Sequence, residues 1–351
     1  MAIIRPARSA APKPTAPPAK RRARLADVAA LAGVSAMTVA RALRDPHKVA
    51  DATRARVAQA LAQTAYTPDL NARGLASQRS GMVAAIVPLL TNSLAAEIVQ
   101  GLTDALAKRD IHLLIGASGF SASAEEALIR DFLSRRVDAI FLTGTCRTPE
   151  AVRMLTEPRI PVVESGNLPD TPIDMVVGYS NVAAAQAVTR HLLRAGYAPV
   201  GYIGAAPEDN DRARDRRSGF NKAIAAARQR ADPSLCIETE LDLAAGARAM
   251  ASLLKRRRRP RAVFCSADVL AVGAVFECRR QGLDVPGDVA IAGFDDLDIA
   301  AQIVPALTTL HVARYEIGRR AGDMIADRLA GGRVRKRIVD VGFELVLRDS
   351  A

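Results

Sequence analysis

The sequence predicts an α/β protein: an all-helical head near the N-terminus, followed by a two-lobed, doubly wound core of parallel sheet. Three observations carry this reading. Between residues 25 and 65, short Ala-rich apolar stripes recur at helical spacing around one Gly turn. From Met82 onward, short apolar runs alternate with longer amphipathic stretches. The charge is also uneven. The formal net charge is +12, yet residues 1–80 hold 14 Lys/Arg against 4 Asp/Glu, while the rest of the chain holds 35 against 33. A basic module on a near-neutral body calls for a polyanionic partner, and nucleic acid comes first.

At 351 residues, 49% of them hydrophobic and 25% charged, the chain has material for two or three globular domains. Residues 1–24 carry Pro6, Pro12, Pro14, Pro17 and Pro18 among Ala and Arg. Such a segment cannot bury a core, so a disordered basic arm is predicted there, either attracting phosphates or serving as a spacer. It has no apolar stretch of signal-peptide length, and no later stretch reaches membrane-spanning length, so a cytoplasmic location is expected. Cys146, Cys236, Cys265 and Cys278 form no CxxC, and His47, His112, His191 and His311 add no metal spacing. Reduced structural thiols and no metal or cofactor are expected.

In the head, Leu25, Val28, Ala29 and Ala32 recur at i, i+3, i+4 and i+7, one apolar face of a short helix. Gly33 stands where that helix must stop and turn. Ser35 suits the N-cap of a second helix whose inner side is Val34, Val39 and Leu43 and whose outer side is Ala36, Met37, Arg41 and Arg44. A third helix, from about Asp51 to Ala62, turns Val57 and Leu61 inward and Arg54 and Arg56 outward. Helix, Gly turn, helix is the unit that places its second helix in the DNA major groove. Residues 66–80 read as a polar joint.

Beyond the joint, the runs 82–88, 111–117, 137–143, 160–164, 199–204, 261–265 and 289–294 read as strands buried on both faces. Stretches 94–109, 122–135, 181–195, 212–228, 268–281 and 313–330 read as the helices that cover them. Some 270 residues of this pattern exceed one sheet of usual size, so two lobes with a cleft are predicted. Ligands of such sheets bind at the carboxyl ends of the strands. No GxSxG elbow, Walker loop or GxGxxG fingerprint is present, so no enzyme is expected.

The combination L-x-D-V-A-x-x-A-G-V-S-x-x-T-V-x-R-x-L, V-x-x-x-T-R-x-R-V, Y-x-P and A-R-x-L closely resembles the lac repressor family of bacterial regulators, from Leu25 almost to the C-terminus. The resemblance implies base contacts from Ala36, Met37 and Arg41, phosphate contacts from Ser35, Thr38 and Arg54, and Tyr66 packed on the head or touching the DNA backbone. It implies that 69–80 is a hinge helix whose Leu75 wedges between base pairs when two copies meet on DNA. Ala40, Asp69 and Ala50 depart from the usual Ser, Asn and Ser; the first two should lower DNA affinity somewhat.

For the core, the resemblance implies a type I periplasmic-binding-protein fold, with one lobe at about 81–179 and 312–336 and the other at about 181–308 and 338–351. It implies an effector pocket using Arg216, Asp268, Asp295, Asn92, Glu164 and Asn181, with Arg214 nearby. SAMTVARAL and residues 164–181 look most like the gluconate-repressor branch, which implies a sugar or sugar-acid effector. A C2 homodimer on a pseudo-palindromic double-stranded operator, associated with the nucleoid, is then expected, without a tetramer tail. A purine-type co-repressor mechanism and a sugar-binding protein without regulatory role are the alternatives. Lys255–Arg259 reads as a solvated surface run.

Overall fold

The computed structural model describes residues 23–64, 66, 79–90, 93–157 and 160–351. The basic arm up to residue 22, hinge residues 67–78 with Asp69 and Leu75, and Asn92 lie outside the described residues. The chain divides between residues 76 and 77 into two units.

The first unit is helical. Helix α1 (Leu25–Ala32) buries Val28, Ala29 and Ala32, the stripe its spacing dictates. Gly33 ends it at φ 62°, a left-handed conformation natural to glycine, and its N–H caps the last turn. Ser35 then caps α2 (Ala36–Arg44) by accepting the Thr38 N–H at 3.1 Å. α3 (Asp51–Thr64) contributes Val57 and Ala60 to the same small core, and Leu43, Leu61 and Tyr66 pack on its rim.

The second unit holds two parallel sheets. β1 (Met82–Val87), β2 (His112–Ala117), β3 (Ala139–Thr143), β4 (Val162–Ser165) and β5 (Met175–Gly178) belong to the first. Their helices are α4 (Ser93–Ala107), α5 (Ala122–Ser134) and α6 (Pro149–Thr156). The chain then enters the second lobe through α7 (Asn181–Arg194), β6 (Val200–Gly204), α8 (Asp211–Ala226), β7 (Cys236–Glu238), α9 (Leu243–Leu254), β8 (Ala262–Cys265), α10 (Asp268–Arg280), β9 (Ala290–Ala292) and α11 (Asp298–Gln302). After β10 (Thr309–His311) it returns to the first lobe for α12 (Arg314–Leu329) and β11 (Ile338–Asp340), and β12 (Glu344–Val346) closes it against β10.

The strand orders are β11-β5-β4-β3-β1-β2 and β7-β6-β8-β9, parallel throughout. The doubly wound, two-lobed core predicted from the alternating pattern is present. One boundary needs correction. The sequence pattern places residues 338–340 in the second lobe, but they pair with Val176–Gly178 at the edge of the first sheet, so the last crossing follows Asp340. Strands β5, β7 and β10–β12 and helices α6, α9 and α11 go beyond the sequence reading; the strands hold only three or four residues each.

In the first lobe α4 and α12 cross with their backbones in contact. A Cβ on Gly318 would overlap the Ile98 carbonyl, and one on Gly101 the Tyr315 carbonyl. Neither obstacle is a side chain that could swing aside. Gly318→Ala is therefore expected to lower unfolding free energy by about 1–3 kcal/mol, measured by urea denaturation, with the difference between Arg320→Ala and Arg320→Gly at an exposed site of the same helix as a control for helix propensity.

Candidate nucleic-acid interface and effector cleft

The exposed face of α2 is built by exclusion. Val39 and Ala42 must point inward, at 0% and 7% exposure, because they close the head's core. Helical geometry then turns Ala36, Met37 and Arg41 outward, and Met37 is 71% exposed. An apolar side chain left so open on a small head is available to a partner surface. Ser35 and Thr38 share a hydroxyl contact of 2.9 Å at the start of this helix, where unpaired N–H groups favour an anion. Arg54 is engaged within the head, 2.7 Å from Asp51 and 3.4 Å from the Pro46 carbonyl. That ion pair is exposed and of small net value, so a phosphate could displace it.

The cleft between the lobes lies at the carboxyl ends of both sheets. It has a volume of about 870 Å³ including its mouth, with Leu89, Ile98, Phe120, Leu241 and Val312 among its apolar walls. Its polar centre is Arg216 on α8. The guanidinium lies 3.7 Å from the centroid of the Phe294 ring. It donates to Asn181 Oδ1 (2.9 Å), the Ser266 carbonyl (2.6 Å) and the Tyr179 hydroxyl (3.0 Å). One turn earlier, four residues away, Arg212 enters the same cleft.

Asp295 sits opposite, 3.7 Å from Arg216 through Oδ1 and 4% exposed. Its Oδ2 is buried without a hydrogen-bond partner, and so is Thr143 Oγ1, which lines the same cavity. Burial pushes the Asp295 carboxyl up to about 7 against the opposing pull of Arg216. Its φ of 119° is a strained conformation for a residue with a side chain, held by its N–H to the Leu310 carbonyl (2.9 Å) and by Arg314 on its own carbonyl.

A second network joins the lobes beside the cleft. Asp211 Oδ2, on the second lobe, accepts the Thr145 N–H (3.0 Å), the Thr145 hydroxyl (2.7 Å) and the Asn167 amide (3.2 Å) of the first. Asp215 takes the same amide at 2.6 Å. Burial opposes the charge of Asp211, but Arg212 beside it and these bonds hold its carboxyl below the usual range.

Residues 24–69 match the family described as bacterial regulatory proteins, lacI family, and residues 189–351 match the periplasmic binding protein-like domain. The HTH-type transcriptional regulator GntR of Pseudomonas aeruginosa is 36% identical over 334 residues, spanning 94% of this chain and 96% of that one. The HTH-type transcriptional repressor CytR of Escherichia coli is 33% identical over 329 residues, 93% and 96% of the two. The chain belongs to the lacI family of bacterial regulatory proteins. A solved LacI-family regulator from Silicibacter pomeroyi superposes with a TM-score of 0.86 at 30% identity, covering 93% of this chain and 99% of that one. This lacI-family protein is a DNA-binding transcription regulator, not an enzyme. Regulators of the family bind operator DNA and sugar effectors, and they dimerise. Among the described residues no single helix is long and apolar enough to cross a membrane.

Several effector candidates of this lacI-family chain sit elsewhere than expected. Asp268 is wholly buried and turned into its own lobe, accepting the Thr309 hydroxyl (2.5 Å) and the Leu297 N–H (2.8 Å), so it ties the β9 and β10 ends together rather than facing the cleft. Glu164 is likewise committed inside the first lobe, to Arg147 (2.7 Å) and the Ile173 N–H (2.8 Å). Asn181 is buried and spans the Gly166 carbonyl and Arg216; it aims the arginine and does not line the cavity. Arg214 is exposed, because two residues along a helix turn a side chain away from the face that holds 212 and 216. Sequence reasoning missed Arg212, Tyr179, Thr143 and Arg314. The i−4 spacing from Arg216 was the one available signal, and it pointed to Arg212.

Asp295 makes a pH test possible. Its folded-state pKa is raised, so the folded protein holds a proton that the unfolded chain has lost. The contribution of this group to stability is complete below the ordinary carboxylate pKa and is lost as pH rises towards about 7. Asp295→Asn is expected to flatten the fall of unfolding free energy across that interval, measured as Tm against pH for both proteins; unchanged slopes would contradict the buried, strained carboxyl.

Proposed function

We propose that this regulator is a homodimeric repressor, working in the cytoplasm at the nucleoid, that leaves its operator when a sugar acid of the gluconate type fills the cleft. The division of labour is a head at 25–65, a hinge at 66–80 and a sensor at 81–351. In the head, Arg41 reads a guanine edge, Ala36 and Met37 meet thymine methyls, and Ser35, Thr38 and Arg54 hold phosphates that set register. Tyr66 supports the head from its rim. The hinge places Leu75 between base pairs when two copies meet.

One observation carries the effector reading. Two guanidinium groups and two unpartnered buried oxygens share one cavity. A carboxylate answers Arg216, with Arg212 at its side, because planar guanidinium donors match carboxylate oxygens. Hydroxyls along the ligand's carbon chain donate to Asp295 Oδ2 and Thr143 Oγ1, ending the penalty of leaving those atoms unpaired. Asn181, Tyr179 and the Ser266 carbonyl keep Arg216 in place before the ligand arrives. Thr143 and Asp295 stand on opposite lobes, so a ligand bound to both favours one lobe spacing. Only such a difference in affinity between two states can shift DNA binding.

The test uses the full chain and a duplex selected from a random pool. Gluconate is expected to lower duplex affinity for the natural protein. Arg216→Gln is expected to leave duplex affinity in place but weaken the gluconate response about 10- to 100-fold, the loss of one charge-assisted contact. No response to any aldonic acid, together with tighter DNA binding in the presence of a purine, would overturn the effector assignment.

The head is tested separately. Arg41→Ala is expected to remove about 1–3 kcal/mol of preference for the selected duplex over scrambled sequence. The salt dependence of binding to scrambled duplex should change little.

A further inference from the structure

The cleft occupies the carboxyl edge of the second lobe's sheet. The opposite edge, where strands β6, β7 and β8 begin, carries a concentration of cations. Lys255, Arg256, Arg257, Arg258 and Arg259 follow α9 in unbroken succession, and all five are exposed. Arg261 is exposed at the start of β8, and its N–H bonds the Pro199 carbonyl at 2.8 Å before β6. Arg228 and Arg230 are exposed in the segment before β7.

The two segments lie side by side. A Cβ on Gly201 would meet both the Leu235 carbonyl at 3.1 Å and Pro260 at 3.3 Å. The Asp232 carboxyl, held below its usual range first by Ser234, also feels Arg258 and Arg256.

Several arginines elsewhere on the core are tied down, although Arg136, Arg194, Arg333 and Arg335 are not; the unbroken run of five cations sets this edge apart. Arg153 bridges Glu150 and Glu157, Arg319 bridges Glu316 and Asp323, and Arg130 holds Glu126. Among the described residues, none of Arg228, Arg230, Lys255–Arg259 or Arg261 enters an ion pair or a side-chain hydrogen bond. Like charges gathered this way repel one another and weaken the fold unless counterions or a partner neutralise them.

We propose that this edge is a second nucleic-acid contact: a docking face for the sugar–phosphate backbone of a duplex DNA segment other than the one read by the head. The partner follows from what the patch lacks. Segments 227–232 and 255–261 contain no exposed large hydrophobic side chain, whereas protein interfaces rely on aromatic and apolar anchors. They contain no aromatic platform for unstacked bases, so single strands are disfavoured as well. Guanidinium groups alone suit a regular polyphosphate, which is held by charge and counterion release. Binding there would be independent of sequence and would let one regulator bridge two stretches of DNA.

The test compares the full-length protein with a variant in which Arg256, Arg257, Arg258 and Arg259 are replaced by Gln. All four are exposed, and thermal unfolding checks that the fold is kept. Each protein is saturated with an unlabelled selected duplex, and a labelled random duplex of about 20 base pairs is then titrated in at about 50 to 200 mM salt. The natural protein is expected to bind the second duplex with a log–log salt slope near −3, from three or four phosphate contacts at about −0.9 each. The variant should bind it at least tenfold more weakly, with affinity for the first duplex unchanged within about twofold. Equal binding of the second duplex by the two proteins, or no binding by the natural one at the lowest salt, would overturn the proposal. So would tenfold stronger displacement of the labelled duplex by polyglutamate or single-stranded RNA than by unlabelled duplex.

Discussion

A guanidinium that is nearly buried and cannot give up its charge is the constraint around which the sensor is arranged. Arg216 stays protonated at any working pH, so its surroundings must satisfy five N–H donors in fixed directions. Asn181, Ser266 and Tyr179 take three of those directions, and Phe294 supplies a ring face beneath. These partners come from α7, the β8 end, the β5 end and the β9 end, so one side chain gathers elements from both lobes. The aromatic group behind it follows the same logic: Tyr179 lies 6.3 Å from Phe294, and Phe264 packs between Phe294 and Tyr202. Large rings around a buried cation exclude water and fix its plane.

The same helix that presents Arg216 also holds the lobes together. Asp211 gathers bonds from Thr145 and Asn167, and Arg212 stands between it and the cavity. A ligand that draws on Arg212 competes for a group that already stabilises Asp211. Cleft chemistry and lobe closure are therefore linked through one turn of α8, over a distance no longer than an arginine side chain. The strained backbone of Asp295, with Arg314 bonded to its carbonyl, lies beside the crossing at His311, and Arg314 extends that link to Glu97 at 2.8 Å on α4.

Much of the architecture was legible because the long strands are buried on both faces and so appear as unbroken apolar runs such as MVAAIV and AIFLT. Short strands that are not buried carry no such signature; Ile338–Asp340 has one buried residue flanked by two exposed ones, and nothing in it announces a sheet edge. The head was legible for a different reason. Gly33 and Ser35 do local work that few other residues can do, so turn and cap are written into their identity. The cleft was read less well. Sequence shows that Asp268, Glu164 and Asp295 all stand near strand ends, but not which way each points, and two of the three turn into their own lobe to bond Thr309 and Arg147. Arg214 is closer in sequence to Arg216 and identical in chemistry to Arg212, but a helix places only Arg212 on the face of Arg216. Tyr179 reads as one more core aromatic until its hydroxyl is seen against the guanidinium.

The central claim is that Arg216 makes the cleft select an anionic, polyhydroxylated ligand. Calorimetric titration of the full chain with gluconate and with sorbitol, the uncharged polyol of the same carbon chain, tests it most directly. The account predicts that the acid binds at least tenfold more tightly, the worth of roughly one charge-assisted contact. Equal affinities, or binding of the polyol alone, would contradict it.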